Sequence, residues 1–358
     1  MKFRHLLLVL TMIGIGFSAE AQTQTTGEKI KEFADKHLKL SGYLQGGFEW
    51  NEASDPETSF YLRRARVSLT GTAAKEKIDY RLQVDMANSP KICDLYFRYK
   101  PLTELNVQLG QYKLPFSLEN ELYGPTKFEF IEYSYLTTYL VRNNAKYDGI
   151  SATGRDMGVQ LYGSFLARDG YSIINYNVGV FNGSGINAKD NNSSKDFIAR
   201  LIVKPIKGLS ISGSYMYSYT TKTSSKDVVN LNAETLLPEL TTITTKNNIC
   251  SPRWSVGAIY DVRHWIARAE FAQADFGGNK TNAFYALAGY HFEKPWSVVA
   301  RYEFIRDDFN TMDEDRVTIG GVYKPFKFLR LQLNYAYTMN ARIEKNFNGI
   351  NLMVSAIF

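Results

Sequence analysis

Alternation of apolar and polar positions runs through this chain from residue 38 to its end. At 78–86, Ile78, Tyr80, Leu82, Val84 and Met86 fall on one face, and Asp79, Arg81, Gln83 and Asp85 on the other. At 209–219, Leu209, Ile211, Gly213, Tyr215, Tyr217 and Tyr219 oppose Ser210, Ser212, Ser214, Met216 and Ser218. At 329–338, Leu329, Leu331, Leu333, Tyr335 and Tyr337 oppose Arg330, Gln332, Asn334, Ala336 and Thr338. A helix would scatter these residues round its axis, whereas a strand sorts them into two faces. The pattern predicts sixteen strands, at 38–50, 59–70, 75–87, 92–100, 104–113, 155–166, 171–181, 195–204, 208–220, 253–261, 264–275, 282–292, 296–306, 315–324, 328–339 and 348–358. Most reach the roughly 9–11 residues of a tilted membrane strand, and an even count closes an antiparallel sheet with both ends on one side.

Connection lengths alternate as well. Every second one is short, at 71–74, 101–103, 167–170, 205–207, 262–263, 293–295 and 325–327, and Lys-Pro recurs at 100–101, 204–205, 294–295 and 324–325. Proline there interrupts a ladder without wasting a donor. Much longer connections intervene at 114–154, 182–194 and 221–252. Short inner turns and longer outer loops are the asymmetry of a transmembrane barrel, which places the short turns and the N-terminus in the periplasm. The last segment sends Ile350, Leu352, Val354, Ala356 and Phe358 to one face and ends on an aromatic carboxylate, as a closing strand would. The fold class expected is therefore all-β: a sixteen-stranded antiparallel transmembrane β-barrel over 38–358.

The N-terminus fits an exported barrel. Lys2 and Arg4 precede an apolar run from Leu6 to Phe17 and the exit Ser18-Ala19-Glu20-Ala21, so 1–21 reads as a signal peptide cleaved before Gln22. That run is short of the roughly 20 residues a spanning helix needs, and no later segment supplies one. Residues 22–37 are expected to form a short periplasmic segment with some helix around Glu28–Lys36. The full chain's +6 becomes +5 once Lys2, Arg4 and Glu20 leave. With only Cys93 and Cys250, disulfides do not hold the fold.

Closure matters because an unpaired sheet edge in hydrocarbon costs several kcal/mol per orphaned group. Outward aromatics such as Trp50, Tyr215, Tyr217, Tyr219, Trp254, Tyr260, Trp265, Trp296, Tyr302, Tyr335 and Tyr337 suit interfacial girdles. The inward face carries Asp79, Asp85, Glu270 and Glu303 among its arginines, too many charges for a dry core. Arginine exceeds carboxylate there, so a water-filled pore mildly favouring anions is expected. The candidate pore-lining or anion-guiding residues are Arg64, Arg66, Arg81, Arg98, Lys113, Lys127, Arg142, Arg155, Arg200, Arg268, Arg301, Arg316 and Arg330. For any one of them, pairing with a wall carboxylate that merely braces the barrel is an equal reading. The aromatic middle of 114–154, Lys127 to Arg142, is suited to pack on the inner wall and narrow the mouth, but Glu119, Glu121, Glu129 and Glu132 oppose a strongly anion-attracting constriction. His37, His264 and His291 sit beside no convincing nucleophile, and no nucleotide loop, zinc cluster or nucleic-acid motif is present, so no catalytic residue, metal or cofactor is expected.

Six stretches carry a resemblance to the phosphate-selective porin family, the O and P porins and their relatives, over nearly the full mature chain. They are Phe60–Arg66 with Gly71, Tyr80–Asp85, Gly110–Ser117, Arg155–Val159, Tyr176–Gly183 and Phe197–Leu201. The resemblance implies an outer-membrane, sixteen-stranded homotrimer of a Gram-negative bacterium whose long third outer loop folds into each channel. Arg64, Arg66 and Lys113 match family positions, while the carboxylate-rich 114–154 connection departs from the basic ladder of selective members. The expected solutes are thus small inorganic or organic anions, phosphate among them. Alternatives are a non-selective diffusion pore, an outer-membrane barrel enzyme or a secreted soluble β-protein. Other expected partners are outer-membrane lipid and the outer-membrane assembly machinery, with no nucleic acid.

Overall fold

A computed structural model describes residues 38–73, 76–142, 153–190, 193–231, 238–293, 295–308 and 311–358, with backbone only at 142, 220–231 and 238–247. The signal-peptide and periplasmic-segment expectations for 1–37 lie outside the described residues. Sixteen strands form one closed barrel: β1 (Leu38–Asn51), β2 (Thr58–Ala73), β3 (Ile78–Asp85), β4 (Lys91–Tyr99), β5 (Asn106–Lys113), β6 (Arg155–Arg168), β7 (Tyr171–Phe181), β8 (Asp196–Ile206), β9 (Leu209–Tyr217), β12 (Arg253–Val262), β13 (Trp265–Phe276), β14 (Asn279–His291), β15 (Trp296–Asp307), β16 (Asp313–Phe326), β17 (Leu329–Asn340) and β18 (Lys345–Ile357). Each lies within three residues, at either end, of the span its alternation predicts. Among the described residues no helix is long and apolar enough to cross a membrane.

The seam joins first strand to last. β1 pairs antiparallel with β18 from Tyr43↔Ile357 to Asn51↔Gly349. The amide of Gly42 donates to Phe358 O at 2.8 Å and that of Phe358 to Gly42 O at 3.0 Å, so the terminal residue is itself part of the ladder. Alternation survives in three dimensions: Leu352 and Val354 are exposed on the outside, Met353 and Ser355 buried on the inside. Exposed Trp265, Trp296, Phe326 and Phe328 gather at the short-turn end, and Tyr217, Trp254, Tyr302 and Tyr335 towards the opposite end.

Three local features depart from simple period two. Between β3 and β4 the pairing passes from Gln83↔Asp94 to Val84↔Ile92, which leaves Cys93 as the extra residue of a bulge, buried and unbridged; Cys250 is likewise free. On β2, Tyr61 reaches Asn351 and Arg63 reaches Glu132, while Arg64 reaches Gln45 and Arg66 reaches Asp85. Both parities therefore point inward, and the phase changes between Arg63 and Arg64. Finally, the 221–252 connection is no plain loop. β10 (Tyr219–Leu231) and β11 (Pro238–Cys250) make a separate two-stranded sheet, paired from Tyr219↔Cys250 to Leu231↔Pro238. Tyr219 thus leaves the barrel wall on which the sequence placed it. Its strands are rich in β-branched threonine but carry no apolar face, so periodicity gave no signal.

Replacing Leu352, outward and near the middle of β18, by Arg should destabilise the barrel by about 2–4 kcal/mol, as expected for a cation at the bilayer midplane. Reversible denaturant unfolding in lipid vesicles measures this; an inward change one residue away, Met353→Gln, should cost clearly less.

Candidate functional site

Most inward positions are polar, but β13–β15 present Ala272, Ala274, Ala283, Leu287, Val299 and Ile305 to the inside. Against that apolar panel pack Phe128, Phe130, Tyr133, Tyr135, Leu136 and Leu140 of the β5–β6 connection. Burial of these rings, at roughly 25 cal/mol per Å² of apolar surface, is what draws the segment to this wall. The segment is not a simple coil: it contains α1 (Leu118–Leu122), α2 (Tyr135–Thr137) and a wide helical turn at Thr138–Arg142.

Buried carboxylates fix its main chain. Glu270 on β13 accepts from the Leu118 amide at 3.0 Å and from Ser117 Oγ at 2.9 Å, serving as the N-terminal cap that Ser117 itself does not provide. Glu303 on β15 accepts from the Tyr135 amide at 2.6 Å and holds Arg301 at 2.9 Å and Arg316 at 2.7 Å. Glu119, within the segment, accepts from the amide and hydroxyl of Ser134 at 2.9 and 2.6 Å. Side chains of β17 complete the attachment: Asn334 accepts from the Ile131 amide at 2.7 Å, and Gln332 donates to Glu129 O at 2.8 Å. Neutral hydrogen bonds of this kind contribute about 1 kcal/mol each, those to ionised groups more.

The four glutamates of the segment each meet an arginine of the wall. Glu121 pairs with Arg200, Glu129 with Arg268 at 3.5 Å, Glu132 with Arg63 at 2.8 Å, and Glu119 lies 3.9 Å from Arg301. Wall arginines also stack on segment rings, Arg268 3.4 Å from the Tyr123 centroid, Arg301 4.5 Å from that of Phe130 and Arg316 4.1 Å from that of Tyr135. Arg200, Arg268, Arg301 and Arg316 are therefore fastened to the segment or to Glu303. Arg330 donates to main-chain oxygens, Phe128 O and Pro125 O, with no carboxylate at salt-bridge distance among the described residues; the same is true of Arg64 on Gln45 Oε1 at 2.9 Å. Arg66 is bound to Asp85 at 2.8 Å.

Five other candidates converge. Arg81, Arg98, Lys113, Lys127 and Arg155 line one cavity of about 350 Å³ between β3–β6 and residues 121–127, where Asp94 and Glu121 are the facing carboxylates. Arg155 and Arg81 share Asp94 at 2.6 and 3.3 Å, Arg98 takes Asp79 at 2.5 Å from outside the cavity lining, and Lys113 donates to Asn120 O at 2.6 Å. The side chain of Arg142 lies outside the described residues.

Two wall residues escaped the sequence reading. Arg63 was not among the inward candidates, because the phase change on β2 is invisible to a strict alternation. Arg253, which donates to Leu140 O at 2.8 Å, was legible, since Trp254 outward puts its neighbour inward. His264 contacts the carbonyl of His291, and His291 the hydroxyl of Ser297 at 2.7 Å, both at the end of a short connection. Among the described residues no group of three or more His, Cys, Asp or Glu could hold a metal ion.

Replacing Glu303 by Gln should cost about 3 kcal/mol or more, because Arg301 and Arg316 then share a buried site without their carboxylate. Denaturant unfolding reads that loss. Limited proteolysis should cut within 114–154 faster than in the unsubstituted protein, since Tyr135 loses its charged acceptor.

Among solved structures, the anion-selective porin from Comamonas acidovorans aligns over 90% of this chain and 99% of its own, with 15% identity and a TM-score of 0.65. The outer membrane protein OmpT of Vibrio cholerae, in its trimer form, gives 13% identity, TM-score 0.61 and coverages of 90% and 99%. A mutant of Rh. blastica porin gives 14%, 0.55, and 90% and 100%. At such identities the likeness is one of fold. No curated protein matches the sequence. The family model described as phosphate-selective porin O and P matches residues 39–355, nearly the whole barrel, and the chain belongs to that family of outer-membrane diffusion pores.

Proposed function

We propose that this porin passes small anions, phosphate among them, and that the 114–154 connection is its third outer loop, folded into the lumen to set the size limit. One observation carries the reading: five cations against two carboxylates line a single cavity beside the segment. The glutamates that would have repelled anions are engaged by Arg63, Arg200, Arg268 and Arg301, so their charge is compensated locally rather than presented to a solute. Field lines in a low-dielectric channel concentrate the remaining positive potential where solute must pass. Arg64 on β2 adds a further charge, and Arg330 one that is met, among the described residues, by the carbonyls of Pro125 and Phe128.

The remaining roles follow from this setting. The outward strands meet outer-membrane lipid, and the chain arrives after loss of 1–21 and is inserted by the assembly machinery with its terminal strand as the closing element. A homotrimer accords with the solved relative described in a trimer form. The solved relative described as anion-selective supports the same charge preference.

Planar-bilayer recordings of the refolded protein in an asymmetric KCl gradient test the proposal. The reversal potential should show chloride preferred over potassium. Replacing Arg81 and Lys127 together by Gln should lower that preference about twofold or more while channels still form. A cation-preferring wild type, or a preference untouched by the double substitution, would falsify the anion reading.

A further inference from the structure

Glu270 differs from the other carboxylates that hold the 114–154 connection. Glu303 has Arg301 and Arg316 beside it, Glu129 has Arg268, Glu121 has Arg200, Glu132 has Arg63, and Glu119 lies 3.9 Å from Arg301. Glu270 is 2% exposed, and among the described residues no cation stands at salt-bridge distance from it. Arg268, two places before it on β13, is engaged by Glu129. Neutral groups do the bonding instead: the Leu118 amide donates to Oε1 at 3.1 Å and to Oε2 at 3.0 Å, Ser117 Oγ to Oε2 at 2.9 Å, and the Tyr285 hydroxyl of β14 to Oε2 at 3.2 Å. Ser255 of β12 and Glu119 of the connection also face it.

The helix α1 is seated close on this part of the wall. A Cβ at Gly257, the residue of β12 that pairs with Glu270, would lie 2.8 Å from Leu118 Cδ1, so bare backbone is what lets the helix approach. An ionised carboxylate held only by neutral donors regains part of what it had in water, and its charge-assisted bonds are roughly twice as strong as neutral ones. A proton changes both sides of that balance. Placed on either oxygen it faces the Leu118 N–H, which cannot accept; the two hydroxyls can turn round, the amide cannot. Protonation therefore weakens the tie at the start of α1. At the other end of α1, Glu121 and Leu122 line the basic cavity, so a shift of the helix alters the wall of that cavity.

We propose that Glu270 is a proton-operated latch on the pore: ionised, it holds residues 117–122 against β12 and β13, and on taking up a proton it lets that stretch loosen and the passage beside it widen. The assignment rests on the reading of the 114–154 connection as the size-setting loop of an anion pore, and it adds control of that loop by pH. Glu303 and the arginine-bound glutamates keep the rest of the connection in place, so the response is confined to the end that Glu270 holds.

Planar-bilayer recordings of the refolded protein in neutral and in mildly acid buffer test the latch, with poly(ethylene glycol) of graded size as the probe of width. In the unsubstituted protein the largest polymer that enters should be larger in the acid buffer. Glu270→Gln, which keeps the shape but cannot ionise, should show the wide pore in both. At neutral pH its 114–154 connection should also be cut by protease about fivefold faster, the factor that one net hydrogen bond is worth. Glu270→Asp, which still ionises, should keep a pH-dependent width, and so should Glu132→Gln, whose carboxylate is the partner of Arg63. A width that does not change with pH, or a change that survives in Glu270→Gln, overturns the latch. If chloride preference persists in that case, the anion pore stands without it; if folded protein forms no channels, the pore reading fails and the latch with it.

Discussion

Every feature of this molecule depends on pairing the main chain where water is absent. In hydrocarbon a strand with a free edge is excluded by the cost of its orphaned amides and carbonyls, so the sheet has to return to its own beginning. It does so through β1 and β18, with the last residue, Phe358, still inside the ladder. The closed wall then fixes the rest of the chemistry. Apart from the phase change on β2, one parity of each strand faces oil and the other faces an enclosed space in which ionised side chains are tolerated, because they find either water or one another.

Within that space, charge is distributed by pairing rather than by composition. The inner wall holds more arginine than carboxylate, yet many of those arginines are committed to Glu121, Glu129, Glu132 or Glu303. An apolar panel on β13–β15 attracts the aromatic rings of the β5–β6 connection, and carboxylates then lock its backbone. Hydrophobic burial thus supplies the attraction, which lacks direction, and the charged hydrogen bonds supply the register. Arg81, Arg98, Lys113 and Arg155 gather on β3–β6 with Lys127 of the connection beside them, on the side away from the panel.

How much of this was legible in the sequence depends on the range of the interaction. Strand positions were, because alternation such as Ile78 to Met86 is local and a lipid-facing position tolerates little but apolar side chains. The face of Arg64 and Arg66 was legible for the same reason. Arg63 was not: a one-residue change of phase on β2 leaves no trace in a sequence that stays basic across Arg63 and Arg64. The β10–β11 hairpin escaped because threonine-rich strands with two polar faces carry no period. The partners of Glu119, Glu121, Glu129 and Glu132 were also hidden, since each bond joins residues about 70 or more positions apart in sequence or depends on a fold of the segment that only the wall imposes. Reading those glutamates by composition alone left out the wall arginines that meet them.

Glu303 has a consequence for how such a channel can change over generations. One carboxylate serves two guanidinium groups and one amide of a distant segment. Loss of Glu303 orphans both guanidinium groups and the amide at once, so the wall carboxylate is not free to drift while the segment stays docked. On the proposed reading, altered permeability would more readily arise on the β3–β6 side, where several cations line one cavity.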